Sequence, residues 1–142
     1  MKRKIRKSAT IKERIQALLR EIVIIRDGGC IFREYSIAGN CGGYRNDGEL
    51  VLQYDHLNSR TYAISYSDFR LGVCVCKRHH IFWKKQNSSL YDKLVRKHIG
   101  KERSDLLDRT IMDKRAYHIN WQFEEAYLKQ ELRKLTSSST MV

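Results

Sequence analysis

The fold is decided by two segments near the middle of the chain, residues 50–56 (LVLQYDH) and residues 71–80 (LGVCVCKRHH). In the first segment apolar residues alternate with others, which predicts a strand that ends at His56. The apolar half of the second segment predicts another short strand, and a helix should follow from His79 or His80. Two strands so close in sequence favour a small antiparallel hairpin, and we therefore predict an α+β fold.

Helices are predicted on both sides of this hairpin. Thr10 and Glu13 match a capping box before an amphipathic helix over roughly residues 11–26, and Gly28 should end it. From residue 88 onward the pattern is again helical, with Gly100 ending one helix, and an apolar stripe on the last helix should pack on the body or form a dimer contact. The predicted organisation is a basic arm at 1–10, one domain at 11–135 with its core at 30–87 and C-terminal helices at 88–135, and a flexible tail at 136–142.

The charge of the chain points to a polyanionic partner. Among 142 residues, 28 are Lys or Arg and 16 are Asp or Glu, which gives a formal net charge of +12. Such an excess attracts nucleic acid by counterion release, although it could also serve solubility or an acidic protein partner. No apolar run approaches the roughly 20 residues of a membrane span, so we expect no membrane partner and a cytoplasmic, reducing location.

Four cysteines in a reducing compartment favour a metal site over disulfides. Cys76 and His79 have the spacing with which one tight turn can hold one ion. Residues 27–48 contain six of the eight glycines, and from this Gly-rich loop Cys30 and Cys41 can complete a tetrahedral zinc site. Cys74 competes with Cys76, since residues two apart on a strand share a face. We prefer Cys76 for its spacing to His79. The alternative is that all four cysteines are buried thiols.

A second group of residues could hydrolyse a phosphodiester. Such hydrolysis needs an activated water and a cation on the phosphate. His56 is suited to act as the general base, and Asp55 and His80 can hold a divalent cation such as Mg²⁺, Mn²⁺ or Ni²⁺. Arg60 and Lys84 are candidate phosphate contacts, because cationic side chains bind phosphate oxygens.

At these residues the chain resembles a known family. The stretch over residues 30–85, and within it residues 52–60 (LQYDHLNSR) and 73–80 (VCVCKRHH), resembles the HNH endonucleases, in particular the small phage and bacterial kind. The resemblance implies a ββα-metal core with a zinc knuckle and flanking helices. We expect a nucleic-acid substrate and favour double-stranded DNA, although the sequence does not distinguish DNA from RNA. The resemblance also implies that His56 activates water while Asp55 and His80 bind the catalytic cation, with Cys76 and His79 in the knuckle.

One departure from the family leaves alternatives open. HNH proteins carry an Asn a few residues before the last Cys, and by spacing Leu71 occupies that place; Asn58 lies near His56 but at a different position. Leu cannot form the hydrogen bonds with which that Asn braces the loop around the base. The alternative function is therefore a zinc-stabilised nucleic-acid-binding module without catalytic activity, and a thiol-based redox protein is a third.

Overall fold

The computed structural model describes residues 9–59, 63–113 and 115–140, with the side chains of the last range described through 137, and it has the predicted α+β character. None of the described helices has the length and apolar character of a membrane span. The main elements in chain order are α1 (Ile11–Asp27), β1 (Leu52–His56), α2 (Ala63–Tyr66), β2 (Gly72–Cys76), a π-helical turn (Arg78–Trp83), α3 (Lys84–Gln86), α4 (Ser88–Met112) and α5 (Trp121–Thr140).

The predicted hairpin is present. β1 and β2 pair antiparallel, with Tyr54 opposite Cys74 and His56 opposite Gly72. Gly72 is required by close approach, because a Cβ atom at this position would lie 2.0 Å from the Tyr54 hydroxyl oxygen. The Tyr54 ring can therefore cross the sheet beside Gly72, where its hydroxyl contacts the Asp68 carbonyl at 3.2 Å.

β2 is buried along its whole length, because helices or loops cover both faces of the hairpin. On one face, Val73 and Val75 pack in a cluster with the loop that follows α1 and with α4. On the other face, Tyr54 and Cys74 pack with α1 and with Leu128 of α5. Each face thus receives its own apolar cluster, and the removal of this area from water is the main favourable term in folding.

The helix boundaries agree in part with the predictions. The Thr10 side chain accepts a hydrogen bond from the Glu13 backbone N–H at 3.2 Å, and Gly28 ends α1 in the left-handed conformation. Gly100 breaks the helical geometry within α4, at φ 83°. α5 continues to Thr140, beyond the predicted limit at residue 135, so the first part of the predicted tail is helical. Residues 1–8 of the predicted basic arm lie outside the described residues.

The outer edge of β2 is covered by charged side chains. Asp27, at the end of α1, accepts a hydrogen bond from the Cys74 N–H at 3.0 Å, and Arg26 and Arg103 both donate to the Gly72 carbonyl. Burial raises the pKa of Asp27, but its hydrogen bonds with His98 and Arg26 lower the pKa more. The pKa of Asp27 therefore lies far below its ordinary value. These contacts satisfy backbone groups that an edge strand would otherwise expose.

We predict that Asp27→Asn weakens the fold by about 2–4 kcal/mol at neutral pH, because a buried ion pair loses one partner. The folded-state pKa of Asp27 lies below its unfolded value of about 3.9, so its contribution is present above that pH and is lost as the pH falls. As the pH falls from about 5 to about 2, the free energy of unfolding should therefore decrease less in the variant than in the wild type. Urea denaturation at each pH would measure this decrease. The exposed Asp47→Asn is the control, and equal behaviour of the two variants would contradict the prediction.

Candidate functional site

Four predicted metal ligands come together beside the end of β2. The ligand atoms of Cys30, Cys41, Cys76 and His79 all lie within 4.8 Å of one another. Cys30 lies three residues after the end of α1, and Cys41 lies further along the Gly-rich loop. Cys76 is the last residue of β2, and His79 is the second residue of the π-helical turn. Cys74 does not join them, since it packs in the cluster with α1, whereas Cys76 packs in the cluster that contains Cys30. The shared face expected from the two-residue spacing is lost because Cys76 is the last residue of β2, where the chain enters the turn. The group could hold one metal ion, and three sulfurs with one imidazole are a donor set consistent with structural zinc.

The imidazole of His79 is oriented for this purpose. Its Nε2 lies 2.9 Å from the Ala38 carbonyl oxygen, which can only accept, and 3.3 Å from Arg78 Nη1, which can only donate. The shorter contact with the carbonyl assigns the proton to Nε2. Nδ1 is then left with its lone pair, 3.0 Å from the Cys76 sulfur and 3.6 Å from the Cys30 sulfur. A backbone carbonyl that fixes the far nitrogen of a ligand histidine is the usual outer-shell arrangement in metal sites.

The sulfur of Cys76 is the most acidic of the cluster. A hydrogen bond from Cys30 lowers the pKa of Cys76 to about 4, and the backbone N–H of His79 points to the same sulfur at 3.4 Å. The same sulfur–sulfur contact, together with burial, raises the pKa of Cys30. Of these two sulfurs, Cys76 is therefore the one that more readily takes the thiolate form, which is the form that binds a metal.

The Gly-rich loop is shaped to lie against the turn that carries two of these ligands. The Arg78 N–H donates to the Gly42 carbonyl at 3.1 Å, and the Lys77 N–H donates to the Val51 carbonyl at 3.1 Å. At Gly43, whose φ is 92°, a Cβ atom would lie 2.6 Å from the Lys77 Cβ. A larger residue at this position would push the loop, and Cys41 with it, away from the turn.

His80, which follows His79 in the π-helical turn, faces a buried carboxylate. Asp55 is 3% exposed, and its Oδ1 lies 3.4 Å from His80 Nε2. Lys84 Nζ lies 3.1 Å from both Asp55 oxygens, and the Tyr91 hydroxyl donates to Oδ2 at 2.6 Å. Burial raises the pKa of Asp55, but the hydrogen bond with His80 and the charge of Lys84 lower it more, so the pKa lies below its ordinary value.

Contacts on the other side of each ring hold the two histidines in place. His80 Nδ1 lies 2.7 Å from Oε1 of Gln53, which leaves Nε2 as the nitrogen that faces Asp55. The His56 ring is half-buried and packs between two tyrosines, with centroid distances of 4.7 Å to Tyr54 and 4.8 Å to Tyr66. Both imidazoles are therefore positioned by neighbours on β1 or on α2.

These groups line one cavity. Asp55, His56, Asn58 and His80 all contribute to the wall of a cleft of about 220 Å³. Successive strand residues usually point to opposite faces, yet Asp55 and His56 both reach this cleft from the end of β1. The cleft thus combines a carboxylate, two imidazoles and an amide in a space that water or a phosphate group can enter.

Three further sequence predictions have different outcomes. Arg60 lies outside the described residues. Lys84, predicted as a phosphate contact, is instead bound to the Asp55 carboxylate. Leu71 is 1% exposed in the core and does not line the cleft, whereas Asn58 does; its Nδ2 donates to the Ser65 hydroxyl at 3.0 Å, and its Oδ1 accepts from the Ser59 N–H.

The sequence analysis missed two residues of the site, Gln53 and Tyr91. Gln53 stands two residues before Asp55 on the same strand, and this spacing places both side chains on one face. That signal could have identified Gln53 as a contact of His80. Tyr91 lies 36 residues from Asp55 along the chain, on α4, and no local pattern relates the two.

We predict that Lys84→Met lowers the free energy of unfolding by about 1–2 kcal/mol, because it leaves the buried Asp55 carboxylate without its cation. The magnitude is moderate because the Lys84 side chain is 39% exposed and its charge is partly screened by water. Chemical denaturation would measure it, with the neighbouring exposed Lys85→Met as the control. Equal stability of the two variants would contradict the assigned contact.

Comparison with known proteins identifies no relative of this chain. No family model, no curated protein and no solved structure matches it. The resemblance to HNH endonucleases therefore remains a prediction made from the residues quoted above. The structure contains two neighbouring groups, a four-ligand cluster and a polar cleft, and two adjacent residues of one turn contribute to them, His79 to the cluster and His80 to the cleft.

Proposed function

We propose that Cys30, Cys41, Cys76 and His79 bind a structural zinc ion. The proposal is supported by the mutual approach of their ligand atoms within 4.8 Å and by the Ala38 carbonyl that directs His79 Nδ1 toward the sulfurs. Such an ion would join the end of α1, the Gly-rich loop and the end of β2. Structural zinc contributes directly to folding in small modules.

We predict that Cys76→Ser abolishes zinc binding and lowers the free energy of unfolding by about 4 kcal/mol or more, because the loop loses its attachment. The purified wild type should contain about one zinc ion per chain, measured by inductively coupled plasma mass spectrometry. Cys74→Ala is the matched control, since Cys74 is equally buried but packs against α1. Zinc content that depends on Cys74 and not on Cys76 would refute the ligand assignment.

We further propose that the protein is a metal-dependent endonuclease of the HNH type that hydrolyses phosphodiester bonds in double-stranded DNA. The observation that carries this proposal is the cleft of about 220 Å³ that Asp55, His56 and His80 line together, which we name the catalytic cleft. A carboxylate and an imidazole that can share one cation, next to a second imidazole that can act as a base, are the groups that this hydrolysis needs. The net charge of +12 supports a polyanionic substrate.

Asp55 and His80 are the residues that would hold the catalytic cation. Asp55 Oδ1 and His80 Nε2 are 3.4 Å apart, so both atoms could contact one divalent cation. Gln53 occupies the other nitrogen of His80, which leaves Nε2 for this purpose. A bound divalent cation would polarise the phosphate and stabilise the charge of the leaving 3′ oxygen.

His56 is the proposed general base. Its ring is held by Tyr54 and Tyr66 at the wall of the cleft, so it can take a proton from water that attacks a phosphate seated there. Asn58 is the proposed substitute for the Asn that the family carries where Leu71 stands. Its hydrogen bond to Ser65 attaches the loop after His56 to α2, which is a bracing role.

We predict that His56→Ala reduces cleavage at least about a hundredfold, because the proton acceptor is removed. Supercoiled plasmid would be incubated with Mg²⁺, Mn²⁺ or Ni²⁺, with EDTA as the metal-free control, and nicked product quantified on gels. Zinc content and the circular dichroism spectrum should stay unchanged, since no proposed zinc ligand is altered. His118→Ala is the matched control, because His118 is exposed and does not line the cleft.

Two outcomes would count against the nuclease proposal. Equal cleavage by the wild type and His56→Ala would refute the role of His56. Salt-sensitive DNA binding without nicking under any of the three metals would favour the alternative function, a zinc-stabilised binding module without chemistry.

A further inference from the structure

A larger groove adjoins the catalytic cleft, and the role of its residues goes beyond the hydrolysis itself. It has a volume of about 640 Å³ and is lined by α1, by the loop that precedes β1, by β1 and by the π-helical turn. We call it the α1–β1 groove. Gln16, Tyr54 and His80 line both the groove and the catalytic cleft, so the two spaces are neighbours on one surface.

Arg20 of α1 lines this groove with a guanidinium group that is fixed at one end. Its Nε donates to the Leu52 carbonyl at 2.7 Å, and this is its one hydrogen bond to other described residues. The two terminal amino groups are therefore available to an anion while the anchored Nε restricts the rotation of the side chain. A planar guanidinium held in this way is suited to bind two oxygens of one phosphate.

The remaining lining fits a nucleotide strand. Arg45 adds a second cation, with its guanidinium 3.2 Å from exposed Asp47, and Glu49 contributes the one carboxylate among the lining residues. Leu50 and Ile81 supply apolar surface, and Ile81 is 44% exposed directly after His80. A nucleic-acid strand carries phosphates that alternate with sugars and bases. The cations of the groove would contact the phosphates, and its apolar residues would contact the sugars and bases.

We propose that the α1–β1 groove binds the DNA strand that flanks the scissile phosphate, and that Arg20 grips one of its phosphates. Because the groove shares Gln16, Tyr54 and His80 with the cleft, a strand in the groove continues into the cleft. Arg20 acts as a positioning residue, since it touches the substrate away from the reacting atoms. This assignment rests on the nuclease function proposed above and adds a binding element from α1, outside the hairpin and its turn.

The test measures DNA binding separately from cleavage. A fluorescein-labelled duplex would be titrated in EDTA over a series of salt concentrations, with binding followed by anisotropy. Arg20→Ala should weaken binding about tenfold. The negative slope of log K against log salt should also become shallower by about 0.9, the value for one lost phosphate contact. Arg45→Ala should reduce the slope in the same way and leaves the Arg20–Leu52 hydrogen bond in place.

Control variants separate a specific contact from a general effect. Arg109→Ala removes the same charge from an exposed position on α4 that does not line the groove, and its slope should remain that of the wild type. Arg20→Lys keeps the charge without the planar fork, so it should retain the slope but bind more weakly than the wild type. Circular dichroism would confirm that each variant is folded.

The outcomes distinguish this proposal from the nuclease proposal. Wild-type slopes in both Arg20→Ala and Arg45→Ala would overturn the groove assignment, even if plasmid nicking still depends on His56. A slope that depends on Arg20 with no nicking under any metal would support the groove and refute the nuclease. Tighter binding of RNA of the same sequence would overturn the assignment to DNA, and an absence of DNA binding by the wild type would overturn both proposals.

Discussion

The structure depends most on the convergence of three cysteines and one histidine at the end of β2. Cys30, Cys41, Cys76 and His79 come from three separate segments, and their ligand atoms lie within 4.8 Å of one another. The segment between α1 and β1 contributes short 3₁₀ turns and an isolated bridge to Leu50, with little regular structure of its own. The path of this segment is therefore set by the contacts that its residues Cys30 and Cys41 make with Cys76 and His79. One ion shared by these ligands would lower the conformational freedom of the whole segment.

The second constraint is the burial of β2 in a sheet of only two strands. An isolated two-stranded hairpin is marginally stable in water, so this one depends on what covers it. Apolar clusters cover both of its faces, and Arg26, Asp27 and Arg103 satisfy the backbone groups along its outer edge. The C-terminal end of α1 thus serves two purposes, since it covers the strand edge and is separated from Cys30 only by Gly28 and Gly29.

Local patterns predicted the features that depend on short stretches of chain. The hairpin, the Thr10 cap, the Gly28 stop and the choice of Cys76 over Cys74 all follow from alternation, capping or spacing within a few residues. The contacts of Tyr91 with Asp55 and of Arg26 with the Phe69 and Gly72 carbonyls could not be predicted in this way. They join residues far apart in the chain, and their geometry exists only after the hairpin has packed. The end of α5 was also misplaced, because a Ser-rich composition gives a weak helix signal although it does not forbid a helix.

The adjacent residues His79 and His80 connect the four-ligand cluster with the cleft. His79 turns inward to the sulfur cluster, where Ala38 fixes its ring, while His80 turns outward to Asp55 and the cleft. Because the two residues share one π-helical turn, the position of the His80 ring follows from the position of the His79 ring. π-helical turns occur often at functional sites, where they reorient neighbouring side chains. The cluster of three cysteines and His79 can therefore be understood as the support that keeps His80 within reach of Asp55, even though it does not line the cleft itself.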